Sequence, residues 1–104
     1  MNTTIHLGNI GKDPELRRTA NGKAVCEISI AVRNPSDDDS PDWFQVVTWG
    51  TTAERVAEFK RKGDEILVEG HLKTDSYDKD GTTHRTVKIH AEQVTFLRNV
   101  ARTD

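Results

Sequence analysis

The sequence predicts an all-β architecture, a small barrel carrying one short helix, on three observations. Most segments alternate apolar and polar residues with period two, the signature of half-buried strands with one wet face. A single segment, residues 51–63, instead carries apolar residues at helical spacing. That segment lies between the third and fourth strand segments, so the order reads strand, strand, strand, helix, strand, strand.

Taken in order, Ile5 and Leu7 alternate with Thr4 and His6, and Cys26, Ile28, Ile30 and Val32 alternate with Glu27, Ser29 and Ala31. The third strand segment is Trp43-Phe44-Gln45-Val46-Val47-Thr48-Trp49. In the helical segment Ala53, Val56, Ala57 and Lys60 share a face. Thr51 with Glu54 reads as a capping box. Lys60, Arg61 and Lys62 suit the last turn, where the dipole favours cations, and Gly63 suits the left-handed position beyond it. Residues 64–73 and 82–96 then form two strands joined by the polar tip Asp78-Lys79-Asp80-Gly81, with Val87, Ile89 and Ala91 alternating against Thr86, Lys88 and His90. Five strands with a helix between the third and fourth is the topology of the OB-fold, a partly open Greek-key barrel. An open five-stranded sheet capped by a helix gives a similar pattern. The barrel is favoured because the long second, fourth and fifth segments need to curl, and Gly8, Gly50 and Gly70 can mark the bends.

Composition bounds the function. The 104 residues are 34% hydrophobic and 31% charged, which fits one domain. Leu, Ile, Val and Phe number 23 of 104, so the core is lean, and a lean core gains from burying further surface against a partner. Apolar runs are too short for a membrane helix, and the amino end has no secretory pattern. With Cys26 alone, an internal disulfide is impossible and a cysteine-based zinc site implausible. A cytosolic location is expected. The net charge of −2 and pI near 6.1 lend no support to nucleic-acid binding, so such a function has to rest on a local face.

The third strand segment supplies such a face. Trp43, Gln45, Val47 and Trp49 share one parity and Phe44, Val46 and Thr48 the other. If Phe44 and Val46 point inward, both tryptophans point outward, about 20 Å apart. Exposed paired indoles have no stability rationale and mark a binding surface; buried indoles are the alternative at this point. Tyr77 can extend the row. Stacking suits single strands because every base has a π-face, at ~1–3 kcal/mol per base. Arg33, Lys73, Arg85, Lys88, Lys12, Arg17 and Arg18 are candidate backbone contacts, though each alone reads as an ordinary surface charge.

Other motifs are set aside. His90-Ala91-Glu92 has the H-x-E of zinc deaminases without the paired cysteines. Gly8-Asn9-Ile10-Gly11 ends a strand, unlike the loop of KH domains, which joins helices. His6, His71 and His84 have no ligand spacing and read as surface or interface residues. No catalytic arrangement is recognisable, so neither an enzyme nor a cofactor or metal is expected.

Several stretches together resemble the bacterial-type single-stranded DNA-binding protein (SSB) family: Gly8-Asn9-Ile10-Gly11-Lys12-Asp13-Pro14-Glu15-Leu16-Arg17, Asn21-Gly22-Lys23-Ala24-Val25, Trp43 through Gly50, Arg61-Lys62-Gly63 and Val68-Glu69-Gly70-His71-Leu72-Lys73-Thr74. The likeness runs from Asn2 to about Leu97. It implies an OB-fold over residues 1–98 with a short extension at 99–104, and a homo-oligomer, usually a tetramer built from dimers. It also implies binding of single-stranded DNA by stacking and backbone contacts, in replication, repair or recombination. By position, Trp43, Trp49 and Tyr77 match stacking residues, Lys62 and Lys73 match basic ones, and Phe59 matches an aromatic expected to pack in the core.

Ser36 stands near where well-studied members have a further stacking tryptophan, within an acidic loop of Asp37, Asp38, Asp39 and Asp42. Gln45, Asp75 and Ser76 replace basic residues, and Phe44 replaces a histidine of the subunit contact. A shallow salt dependence is therefore expected. The family's acidic tail does not follow Val100, so recruitment of other proteins through it is not expected. The location implied is cytoplasmic, nucleoid-associated, or supplied by a phage or plasmid. The alternative reading is an OB-fold protein-interaction module; RNA binding is a weaker third.

Overall fold

The structure is a computed structural model that describes residues 1–37 and 39–100. The chain runs β1 (Thr4–Ile10), β2 (Leu16–Arg18), β3 (Ala24–Val32), β4 (Asp42–Trp49), α1 (Gly50–Phe59), β5 (Glu65–Lys79) and β6 (Thr82–Phe96). The predicted third strand is thus β4, and the helix stands before the long hairpin as expected.

Pairing runs β1–β5–β6–β4–β3, and β3 returns to β1 through Asn9↔Ala31 and Ile10↔Ile30. The five long strands therefore close into a ring, the barrel form of the fold. Within it β4 and β6 run parallel, at Val46↔Ile89 and Val47↔His90. The short β2 is an additional strand on the outer edge of β3. The period-two pattern fills the ring: Cys26, Ile28 and Ile30 of β3 meet Ile10, Val46, Ile66, Val68 and Ile89, with Ala53 and Val56 of α1 closing one end. Burial of the isoleucines and valines among them, at roughly 1.5–3 kcal/mol each, drives closure.

At Gly70 the β5–β6 register shifts, and a Cβ there would lie 2.0 Å from the His90 carbonyl oxygen. Only glycine lets the strands cross so closely. Beyond this point the hairpin projects from the barrel. Its pairing continues to Lys79↔Thr82, six residues past the expected end of the fourth strand segment. Asp80 (φ 54°) and Gly81 (φ 79°) alone make the turn. Two successive positive-φ residues form the hairpin turn whose twist matches the strands, so Asp78 and Lys79 stay in the ladder.

The helix ends differ from the predicted caps. The N-cap is Trp49, in extended conformation and without a side-chain cap hydrogen bond, so Thr51 lies inside the helix and no capping box forms. The chain passes from β4 straight into α1, leaving no loop residue to cap it. At the other end Lys60 is the C-cap and no cation occupies the last turn. Lys60 is buried, its Nζ donating to Asn99 Oδ1 at 2.7 Å and lying 5.2 Å from the Phe96 ring centroid. Gly63 (φ 91°) serves the following turn, where the buried Asp64 carboxylate accepts from the Arg61 backbone N–H at 2.8 Å. Phe59, expected in the core, is 51% exposed and leans against Phe96 at 6.5 Å.

Past β6, Glu65 N–H donates to the Arg98 carbonyl at 2.7 Å and Val100 N–H to Asp64 at 2.8 Å, tying residues 98–100 to the barrel. The rest of the expected extension, residues 101–104, lies outside the described residues. Among the described residues no helix is long and apolar enough to cross a membrane.

Candidate nucleic-acid interface

On β4, Val46 and Thr48 are fully buried and Phe44 is half-buried against the core, so alternation turns Trp43, Gln45 and Trp49 outward; Val47 shares their parity but is itself buried, lining a cleft in the face. Antiparallel pairing sets Ala31, Ser29, Glu27 and Val25 of β3 opposite them, residue for residue. On the other side Val47 meets His90 of β6. The result is a continuous outer face across β3, β4 and the β5–β6 hairpin.

The two indoles are held differently. Trp43 is 57% exposed, and its ring packs over Gly11, where a Cβ would come within 2.5 Å of it. Trp49 is half-buried, and Lys23 Nζ lies 4.9 Å from its ring centroid. Tyr77 is 51% exposed and stacks on its cross-strand partner His84, with centroids 5.2 Å apart and planes at 17°. A flat aromatic pair on the hairpin is a ready platform for a base.

Two adjoining clefts run along this face. One is lined by Lys12, Glu15, Arg17, Glu27, Ser29 and Gln45, the last donating to Ser29 Oγ at 2.8 Å. The other, about 430 Å³, has Val47 and Trp49 with Arg17, Arg18, Lys73, Asp75, Lys88 and His90 around it. That volume lies within the ~300–1,000 Å³ of ligand-sized clefts.

The candidate cations thus divide. Lys12, Arg17, Arg18, Lys73 and Lys88 line the clefts. Lys62 is exposed, and its backbone N–H donates to Asp13 at 2.8 Å, which brings it beside the β1–β2 loop. Arg33 is exposed just beyond β3, at the Trp43 end of the face. Arg85 alternates onto the opposite face of the hairpin, beside Val87, away from Lys73, Lys88 and Tyr77. Acid is interleaved with base: Asp75 lines the second cleft and Glu27 lines the first and reaches the second. Of the acidic loop, Asp37, Asp39 and Asp42 are exposed, whereas Asp38 lies outside the described residues.

Sequence reasoning missed Glu27, Lys23 and the histidine pair. Glu27 Oε1 accepts from Lys88 at 2.6 Å and Oε2 from Arg17 at 3.3 Å. His90 stacks on His71 at 5.7 Å, and His71 lies 3.4 Å from Glu92. Burial holds the His90 pKa below its ordinary value, and Lys73, His71 and Lys88 push the same way against Asp75. His6, read as a surface or interface histidine, is half-buried against Phe44 at 4.5 Å, and burial lowers its pKa too.

The sequence profile of the Single-strand binding protein family matches residues 1–97. The chain belongs to that family. Among its relatives, the single-stranded DNA-binding protein of Thermosynechococcus vestitus is 37% identical over 96% of this chain and 86% of that protein. Single-stranded DNA-binding protein 2 of Clostridium acetobutylicum is 39% identical, over 93% and 77%. Single-stranded DNA-binding protein A of Bacillus subtilis is 38% identical, over 93% and 59%. This is a family of binding proteins and not of enzymes, and membership does not favour the protein-interaction reading. In this family member the outer face of β4 is a mixed surface of aromatic rings and internally paired charges.

Proposed function

We propose that the chain binds single-stranded DNA without strong sequence preference, bases stacking on Trp43, Trp49 and Tyr77 and the backbone following Lys12, Arg17, Lys73 and Lys88, with Arg33 and Lys62 at the margins. The observation that carries this reading is the exposure of Trp43 on the same strand face as Trp49, bordered by cations. Arg85, on the other face of the hairpin, contacts DNA only where the strand wraps around the tip. Family membership and the names of the relatives support the same reading. The protein would serve replication, repair or recombination in the cytoplasm.

A homo-oligomer, a tetramer built from dimers, completes the proposal. Ile5 and Leu7 are 61% and 49% exposed, and Leu7 sits opposite Leu67 in the β1–β5 ladder. β1 meets β3 only at Asn9 and Ile10, so Thr4–Gly8 presents a strand edge beside this apolar face. A second copy covering it would bury surface that the lean core cannot. Sedimentation velocity tests the assembly, and titration with labelled oligo-thymidine tests the binding. Loss of affinity in Trp43→Ala and Trp49→Ala supports the stacking face; unchanged affinity in both removes it.

A further inference from the structure

We infer that Glu27 is a built-in competitor of the DNA backbone: it occupies Arg17 and Lys88, and a phosphate has to displace it to reach them. The inference rests on the single-strand reading of this face. Glu27 sits on β3 between core residues Cys26 and Ile28, and alternation turns it outward opposite Val47. Its two oxygens take cations from two different elements: Lys88 of β6 at 2.6 Å and Arg17 of β2 at 3.3 Å. One carboxylate thus engages two of the five cations that line the clefts.

Fold stability does not account for the Arg17 contact: the Arg17 side chain is 62% exposed, and an ion pair so open contributes little to folding. The Lys88 contact is partly buried, with side chains 34% and 29% exposed. Nor is Glu27 only a relief for like-charged neighbours. Lys73 and Lys88 face each other in the ladder, and Asp75 already lines the same cleft. What Glu27 changes is the response to an anion. Counterions condensed on the DNA are released only as its phosphates meet protein cations, and Arg17 and Lys88 held by Glu27 meet fewer of them. The carboxylate, once displaced, remains in the cleft and repels the strand. Binding then leans on the aromatic rings and depends weakly on salt.

The test uses the full chain, its Glu27→Gln, Lys88→Gln and Trp43→Ala variants and the Glu27→Gln/Lys88→Gln double variant. Labelled oligo-thymidine is followed by anisotropy from low to moderate salt. Glu27→Gln is expected to tighten binding about fivefold or more at low salt, the factor given by one unit charge at ~4 Å under water-like screening. The slope of log affinity against log salt is expected to steepen by up to about 1.4, at ~0.7 for each cation released to meet phosphate. Lys88→Gln is expected to cost more in the Glu27→Gln background than in the parent, since only there is Lys88 available. Equal affinity and slope for parent and Glu27→Gln, with Trp43→Ala weakening binding, overturns the role of Glu27 and leaves the stacking face standing. A Lys88→Gln variant in the parent background that flattens the slope by ~0.7 overturns it independently, because Lys88 would then already meet phosphate with Glu27 in place. If Trp43→Ala also leaves binding unchanged, the reading of the face falls with it.

Discussion

Replacing Gly70 with alanine puts one methyl group where the barrel has no room for it. The added Cβ would stand 2.0 Å from the His90 carbonyl oxygen, 2.9 Å from its carbon and 3.0 Å from Ala91 Cα. A carbon and a carbonyl oxygen ordinarily approach to ~3.3 Å, so β5 and β6 must part by more than about 1 Å. The obstructing atoms are all backbone within a paired ladder, and no rotamer change relieves them. Overpacking costs ~1–3 kcal/mol in cores that can adjust, and this site belongs at or above the upper end. At ~4–8 °C per kcal/mol for a domain of this size, a loss of about 3 kcal/mol lowers Tm by roughly 12–24 °C. Thermal unfolding followed by circular dichroism reads it directly. The same substitution disturbs the root of the hairpin that carries Lys73, Tyr77 and Lys88, so DNA affinity is expected to fall even where the chain remains folded. A Gly70→Ala protein melting within about 3 °C of the parent would refute the close-approach argument.

Three further outcomes follow from the same structure. Trp43→Ala is expected to weaken oligo-thymidine binding by ~1–3 kcal/mol, with Trp43→Phe retaining most of it; anisotropy titration that finds no change removes this ring from the site. Asp64→Ala is expected to cost about 2–4 kcal/mol of stability, because the buried carboxylate accepts from the Arg61 and Val100 backbone N–H groups, both at 2.8 Å; urea unfolding measures it, and a midpoint equal to the parent's contradicts it. The folded chain holds the His90 pKa low, chiefly by burial and then by Lys73, His71 and Lys88, and burial does the same for His6. The native state therefore binds fewer protons than the unfolded chain near pH 6. Stability is full above the unfolded histidine pKa of about 6.5 and falls as pH drops through it. Melting at pH 7.5 and pH 5.5 should show the loss, with His90→Gln reducing it; a higher Tm at pH 5.5 would contradict the sign.

Strands whose one face fills the barrel announce themselves. Cys26, Ile28 and Ile30 bury in strict alternation, and the inward Val46 and Thr48 reveal the outward tryptophans. β2 was invisible because Leu16, Arg17 and Arg18 are all exposed; backbone pairing to β3 holds it, with no apolar period to read. The outer half of the hairpin, residues 72–79, is exposed on both faces, so its length is set by the Asp80-Gly81 turn and not by any hydrophobic pattern. The helix caps were misread because capping rules assume a loop before the helix, and β4 runs directly into α1. Lys60 looked like a dipole-compensating cation, whereas its stem packs inward over Phe96. Glu27 was unreadable as a partner: an outward acid on an alternating strand looks solvated. Only strand register brings it to Arg17, ten residues away, and Lys88, sixty-one away.

The most direct test of the account is intrinsic tryptophan fluorescence during titration of the folded chain with oligo-thymidine, at low and at moderate salt. Both indoles lie on the proposed contact face, so the account predicts saturable quenching that persists at the higher salt. No quenching at either salt, from a chain shown to be folded, would contradict the stacking face on which the account rests.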